Sequence, residues 1–264
     1  MLINDISKNS PLIHCITNPI SINICANAIL GIGARPVMAE HPREVSDITR
    51  SSQALLLNLG NITDARAKSI IISAKTANKN NIPFVIDLAG VACSKLRKKL
   101  AKKVITKYKP DLIKGNYSEI MAVFDKNYKS AGVDADKGIS SSLIEGVVIK
   151  LSKSFMTTVL ASGKTDVISD GKTLVRVNNG TPHLSKITGT GCMQGALAAA
   201  FLSQCSSLKG VTEACALIGV CGELSETDEG SGAFMANLLN NISKITDDIL
   251  ENRIRTEVKS VEQI

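Results

Sequence analysis

Along the first two thirds of the chain, short apolar runs alternate with segments whose apolar residues recur at helical spacing. "ALLLNLG" (54–60) and "IPFVIDLAG" (82–90) are almost continuously apolar, the pattern of strands covered on both faces. "RPVMA" (35–39), "PDLIKGN" (110–116) and "FMTTVLAS" (155–162) predict further short strands. Helices are predicted over "REVSDITRSSQ" (43–53), over 63–80 with Thr63-Asp64 as N-cap, over 95–109, from about Ser118, and over 140–153. "TDVISDGKTLVRV" (165–177) alternates apolar and polar positions around Asp170-Gly171, which predicts a hairpin. Beyond Thr188-Gly189-Thr190-Gly191 the chain predicts helices to its end. Strand–helix alternation, a hairpin and a helical C-terminal third, with no internal repeat or Pro/Gly-rich linker, predict one α/β domain over residues 1–264. Its central sheet is expected to be mainly parallel and flanked by helices.

In such a sheet, ligands bind beyond the carboxyl ends of the strands. The polar residues that follow the predicted strands are Asn58 and Gly60, Asp87, Lys114 and Asn116, and Ser162. Each alone reads as a cap or turn residue, but together they are expected to share one sheet edge. "TGTGC" (188–192) adds a second signal, because glycines let backbone N–H groups turn inward and the helix that follows adds its positive dipole end. That combination suits a phosphoryl group or a developing oxyanion, although a ligand-free Gly-rich helix start has the same pattern. No GxxxxGK[ST] loop is present.

Asp87 at a strand end and Glu119 in a first helical turn place one carboxylate on each of two neighbouring segments. Such a pair, acting through waters, suits Mg²⁺, and equally suits two helix caps. In "SPLIHCITNPISINICANAIL" (10–30), Thr17, Asn18 and Asn23 interrupt an apolar segment, as in the wall of a small pocket with a few directional hydrogen bonds. His14 has no acid nearby in sequence and reads as a structural histidine.

Composition changes this picture little. Apolar residues make 44% of the 264 residues and charged residues 21%, as in ordinary globular chains, so the core must come from Ile, Leu, Val and Ala, since aromatics are only 3%. The net charge of +7 raises nucleic acid as a partner, but the excess is concentrated in "KLRKKLAKKVITKYK" (95–109). There Leu96, Leu100 and Val104 predict a buried stripe under a solvated basic face, with no aromatic interleaving. No nucleic-acid partner is expected. Seven cysteines without a CxxC pair read as reduced thiols of a cytoplasmic protein. The N-terminus has no secretory h-region, and no apolar run reaches the ~18 residues of a membrane span.

"SPLIHCITN", "CANAILGIGARPVMAE", "ALLLNLGN", "KGNYSEI", "GVDA" and "ITGTGC", in this order along nearly the whole chain, resemble the hydroxyethylthiazole kinase family. The resemblance implies a ribokinase-like fold and ATP- and Mg²⁺-dependent phosphorylation of the hydroxyl of 4-methyl-5-(2-hydroxyethyl)thiazole in thiamine salvage. It also implies a homotrimer with active sites between subunits. By motif, Met38 and Gly189 would contact substrate, with Asn18 and Gly60 as further pocket residues. Lys114 falls where the family has an ATP-binding arginine, and Ser162 where a threonine contacts ATP; Thr188, Thr190 and Gly191 complete the ATP-binding set. Asp87 and Glu119 match the magnesium positions, through water. Cys192 stands where ribokinase-like relatives carry a catalytic aspartate. A helix N-terminus favours its thiolate and a bound triphosphate disfavours it, so Cys192 is expected to be a weak base and chiefly an orienting group.

Two departures stand out. "DLAGVA" (87–92) stands where the family has "DPVGAG"; it keeps Asp87 and Gly90 but puts Ala92 where a glycine would let a phosphate approach. Lys114 keeps the charge of arginine without its bidentate geometry. Three alternatives remain open on the sequence: another ribokinase-like small-molecule kinase, a thiazole-binding protein with lost or weak turnover, and, third, a basic nucleic-acid binder.

Overall fold

The structure is a computed structural model, and it describes residues 2–128 and 139–263; the "GVDA" motif at 132–135 lies outside the described residues. Its strands are β1 (Leu12–Ile16), β2 (Arg35–Val37), β3 (Ala54–Asn58), β4 (Phe84–Asp87), β5 (Leu112–Asn116), β6 (Thr158–Ser162), β7 (Asp166–Ser169), β8 (Thr173–Val177) and β9 (Thr256–Ser260). They form one sheet in the order β2-β1-β3-β4-β5-β6-β7-β8-β9. Pairing is parallel from β2 through β6 and antiparallel from β6 to β9. The helices are α1 (Ile3–Asn9), α2 (Ile22–Gly31), α3 (Val45–Ser51), α4 (Asp64–Lys79), α5 (Lys95–Tyr108), α6 (Tyr117–Phe124), α7 (Ser141–Phe155), α8 (Thr190–Leu202), α9 (Ser207–Glu223), α10 (Ser231–Lys244) and α11 (Asp247–Glu251).

The near-continuous apolar strands are explained by helices on both faces. Successive residues of a strand point to opposite sides. Leu56, Val85, Leu112 and Leu160 therefore enter one core, with residues of α2, α8, α9 and α10. Leu55, Leu57, Phe84, Ile86, Ile113 and Val159 enter the other, with residues of α4, α5 and α7. Residues Met193–Leu202 of α8 are buried throughout, so this helix is apolar all round and sits within the fold.

The hairpin around Asp170-Gly171 is present as β7–β8, with Gly171 at φ +90° and Asp170 Oδ1 accepting the Lys172 and Thr173 amides. Thr63 caps α4 by accepting the Arg66 amide at 3.2 Å. The apolar N-terminal stretch divides into β1 and α2. Three expectations need correction. Phe155 ends α7 instead of opening β6. The C-terminal third is helical except for β9, a wholly exposed edge strand (TEVKS) whose polar alternation gave no apolar signal. The stripe of the basic helix is rotated: Leu96 is 62% exposed, and Ala101, Val104, Ile105 and Tyr108 form the buried face. A stride of four residues drifts by about 40° per step on a helix of 3.6 residues per turn, which carries Leu96 off the face that Val104 occupies.

This assignment of faces predicts that Ile105→Ala costs about 2–5 kcal/mol of unfolding free energy. Leu96→Ala should change stability by less than ~0.5 kcal/mol. Urea denaturation of both variants measures the difference, and equal costs would contradict the rotation.

Candidate active site

The parallel register brings the predicted strand-end residues into one row. Asn58 is in register with Asp87, Asp87 with Lys114, and Asn116 with Ser162. Behind this row lies the N-terminus of α8. Asp87 Oδ2 stands 3.0 Å from Lys114 Nζ, both side chains nearly fully buried, and Lys114 Nζ also donates to the Gly191 carbonyl at 2.7 Å. Burial alone would lower the Lys114 pKa, but Asp87, Cys192 and Glu119 outweigh it and hold the ammonium above its ordinary value. Lys114 is thus fastened to Asp87 and to the helix start.

The helix start itself is shaped by Gly189, which lies at φ +95°. A Cβ there would come 2.2 Å from Ile24 Cδ1, so the conformation and the close packing on α2 both require glycine. Helical bonding begins with the Met193 amide to the Gly189 carbonyl. Gly189 offers no side-chain cap, so the first-turn amides of Thr190, Gly191 and Cys192 lie at the open end of the dipole. Thr188 and Gly191 are exposed, whereas the Thr190 hydroxyl donates inward to the Leu184 carbonyl at 2.7 Å.

Cys192 is half-buried next to this terminus. Its Sγ accepts hydrogen bonds from Asn58 Nδ2 at 3.2 Å and from Asn18 Nδ2 at 3.5 Å. Asn58 Oδ1 in turn accepts the Gly60 amide at 2.7 Å, so Asn18, Asn58, Gly60 and Cys192 form one polar cluster. Burial, followed by the Asp87 carboxylate, pushes the Cys192 pKa up, against Lys114 and the hydrogen bonds. This direction is opposite to the one a helix terminus alone would give, and it agrees with a weak base. Met38, Ile24 and Ile187 are, like Cys192, half-buried residues packed against the same core. His14 is structural, with Nδ1 bonded to Thr49 Oγ1 and Nε2 to the Ala39 carbonyl, both at 2.9 Å. Burial lowers its pKa.

Glu119 closes a capping box. Its Oε2 accepts the Asn116 amide at 2.8 Å, Asn116 Oδ1 accepts the Glu119 amide at 2.9 Å, and Glu119 Oε1 accepts the Gly90 amide at 2.7 Å. Burial and the nearby Asp87 push its pKa up to about 6. In the altered 87–92 loop, Gly90 keeps a positive φ of 77°, Val91 is buried in the core, and Arg97 Nη1 donates to the Ala89 carbonyl at 3.2 Å. Among the described residues, no group of three His, Cys, Asp or Glu side chains could enclose a metal. Asp87 and Glu119 are both already hydrogen-bonded. This donor set fits a hydrated Mg²⁺ carried mostly by phosphate oxygens, the usual way this ion is held, better than a protein cage.

Ser162 Oγ donates to the Gly115 carbonyl at 3.3 Å, and the turn beyond it is tied down by residues that the sequence did not single out. Asp166 Oδ1 accepts the Gly163 amide at 3.0 Å, its Oδ2 accepts Gln194 Nε2 of α8 at 2.6 Å, and Tyr117 Oη donates to the Thr165 carbonyl at 2.6 Å. Burial pushes the Asp166 pKa up to about 6. Asp166 opens a strand and Gln194 lies inside an apolar helix, so only their pairing reveals them. Arg66, in the first turn of α4, is 3% exposed and reaches the carbonyls of Thr17 and Gly60.

A mostly parallel sheet covered on both faces, with an uncapped helix start behind a row of strand-end polar residues, gives this chain the ribokinase-like fold. A ribokinase-like superfamily protein from Enterococcus faecalis has this fold, with a TM-score of 0.64 and 12% identity over 90% of this chain and 88% of that one. The profile of the hydroxyethylthiazole kinase family matches residues 3–248, and the chain belongs to that family of phosphotransferases. Hydroxyethylthiazole kinase 2 of Clostridium botulinum is 47% identical over 256 residues, 95% of this chain and 97% of that protein. The structure of the hydroxyethylthiazole kinase protein from Pyrococcus horikoshii OT3 matches with a TM-score of 0.90 and 28% identity, covering 97% of each chain.

The buried pair predicts a specific coupling. Asp87→Asn or Lys114→Met, by stranding the other charge, should each cost about 3–5 kcal/mol. The double variant should cost clearly less than the two added, because the second substitution removes the stranded charge. Denaturant titration of the cycle measures this, and simple additivity would show that the pair is not energetically joined.

Proposed function

We propose that this chain transfers the γ-phosphoryl group of ATP to the hydroxyl of 4-methyl-5-(2-hydroxyethyl)thiazole, with Mg²⁺, in thiamine salvage. The observation that carries the reading is the open N-terminus of α8 set directly against Cys192 and its two asparagine donors. In this reading an anion site and a small polar-apolar pocket meet at one point, as transfer between a nucleotide and a small alcohol requires. Family membership and the names of the relatives support the choice of alcohol.

Phosphoryl transfer passes through a loose transition state and asks chiefly for positioning and charge neutralisation. In this reading the amides of residues 190–192 receive the γ-phosphoryl group, with Thr188, Thr190, Gly191 and Ser162 along the nucleotide. Lys114 contributes positive charge from below while bracing the Gly191 carbonyl. Asp87 and Glu119 are the residues that would hold the water shell of Mg²⁺, which when bound would supply charge neutralisation to the phosphates. Asn18, Met38, Gly60 and Gly189 line the thiazole side. The alcohol oxygen bonds to the γ-phosphorus as the bond to the ADP oxygen breaks, and the alcohol proton leaves late. A thiol whose pKa is held up by burial accordingly serves first to orient the alcohol and only secondarily as a proton acceptor. We place the enzyme in the cytoplasm as a homotrimer whose subunits share active sites.

ADP release with ATP and Mg²⁺ tests the proposal: it should depend on added hydroxyethylthiazole. Thiazole binding without ADP formation would identify a binding protein instead, and ADP release only with other small alcohols would reassign the substrate. Cys192→Ala should lower kcat clearly, by ~10²-fold or less, the lower end of general-base effects, with ATP binding nearly intact. An unchanged kcat in the folded variant would return Cys192 to a packing role.

A further inference from the structure

We infer that Arg66 is a positioning residue that gathers the chain segments of the alcohol side into one pocket wall, and so governs affinity for the alcohol and not for ATP. The inference rests on the assignment of Asn18, Met38 and Gly60 to the alcohol in the function proposed above.

Arg66 is held at the start of α4, where Thr63 Oγ1 accepts its amide. Its guanidinium points away from solvent and toward three loops. Nη1 donates to the Thr17 carbonyl at 3.5 Å and to the Gly60 carbonyl at 3.3 Å. Nε is buried and lies 3.3 Å from Glu40 Oε2, as an ion pair without the alignment of a hydrogen bond. Thr17 directly precedes Asn18, Gly60 is itself a pocket residue, and Glu40 follows Met38 by two positions. One side chain thus touches three of the four segments that carry alcohol-side residues, the exception being the start of α8 with Gly189.

Other contacts narrow what Arg66 does. The loop after Met38 is already pinned through its backbone, since His14 Nε2 is bonded to the Ala39 carbonyl at 2.9 Å and Ser69 Oγ donates to the Glu40 carbonyl at 2.7 Å. Arg66 adds the tie between this loop and the other two. A planar guanidinium can serve several acceptors in different directions at once, which a lysine ammonium on one stem cannot do in the same geometry. The Glu40 carboxylate is 48% exposed, so its removal tests the tie without opening the core. The nucleotide-side residues Ser162, Thr188 and Gly191 are not among the contacts of Arg66, which is why the two affinities should separate.

The experiment compares steady-state constants for hydroxyethylthiazole and for ATP in the unmodified protein, Arg66→Lys, Glu40→Gln and the double variant, together with thermal midpoints. In Arg66→Lys the alcohol KM should rise about 10-fold, a modest part of what a misplaced wall can cost, with the ATP KM within about 2-fold. Glu40→Gln should raise the same KM by a smaller factor, at an unchanged thermal midpoint, and add little in the double variant. An unchanged alcohol KM in both single variants would overturn the inference. Both KM values rising together with a fallen midpoint in Arg66→Lys, and neither moving in Glu40→Gln, would also overturn it, reducing Arg66 to a fold element. No thiazole-dependent turnover in the unmodified protein would remove the function proposed above, and the role of Arg66 with it.

Discussion

The ion pair between Asp87 and Lys114 is the contact on which the architecture of the site depends. Parallel pairing of β4 with β5 sets the two residues side by side at the carboxyl edge, and α8 covers them. The helix comes close because Gly195 faces the pair: a Cβ there would stand 3.2 Å from Asp87 Oδ2. Lys114 then spends a further donor on the Gly191 carbonyl, fixing the first turn of the helix to the sheet. Burying two charges brings little net stability, since desolvation consumes most of the attraction. What the pair achieves is definition: strand register fixes where the amides of α8 point, and those amides are the anion site proposed above.

The same negative charge reaches outward. Asp87 contributes to the raised pKa of both Glu119 and Cys192, after burial in each case. For Glu119, with an ordinary value of 4.5 and a folded value of about 6, the folded state binds the proton more tightly than the unfolded chain. Its contribution to stability therefore declines as pH rises through that interval and stays diminished above it. The capping-box amides of Asn116 and Gly90 work against burial by hydrogen-bonding the ionised carboxylate. A bound metal cation would favour ionisation of these groups, and a bound triphosphate would oppose it.

Much of this was legible in the sequence because it follows from short-range rules. Apolar runs mark β3 and β4, Asp170-Gly171 marks the hairpin, and Thr63 marks the start of α4. The strand-end positions also placed Asn58, Asp87, Lys114, Asn116 and Ser162 on one edge, since a parallel sheet puts its carboxyl ends together. What was not legible depends on partners distant in the chain. Whether Lys114 faces a ligand or Asp87 is set by how α8 packs over the sheet. Arg66 and Asp166 are polar residues in ordinary places until a fold encloses them. The polar strand β9 is a strand because β8 has an edge to offer, a condition found 79 or more residues away in the pairs of Val177 with Thr256 and Thr173 with Ser260.

The central claim is that the backbone amides at the start of α8 are where the phosphate chain sits. Amide hydrogen exchange, followed residue by residue with and without a non-hydrolysable ATP analogue and Mg²⁺, tests it most directly. The account predicts that protection on binding is largest at Thr190, Gly191 and Cys192, where the amides lie at the open end of the helix. Protection that arises elsewhere while these amides exchange as before would contradict it.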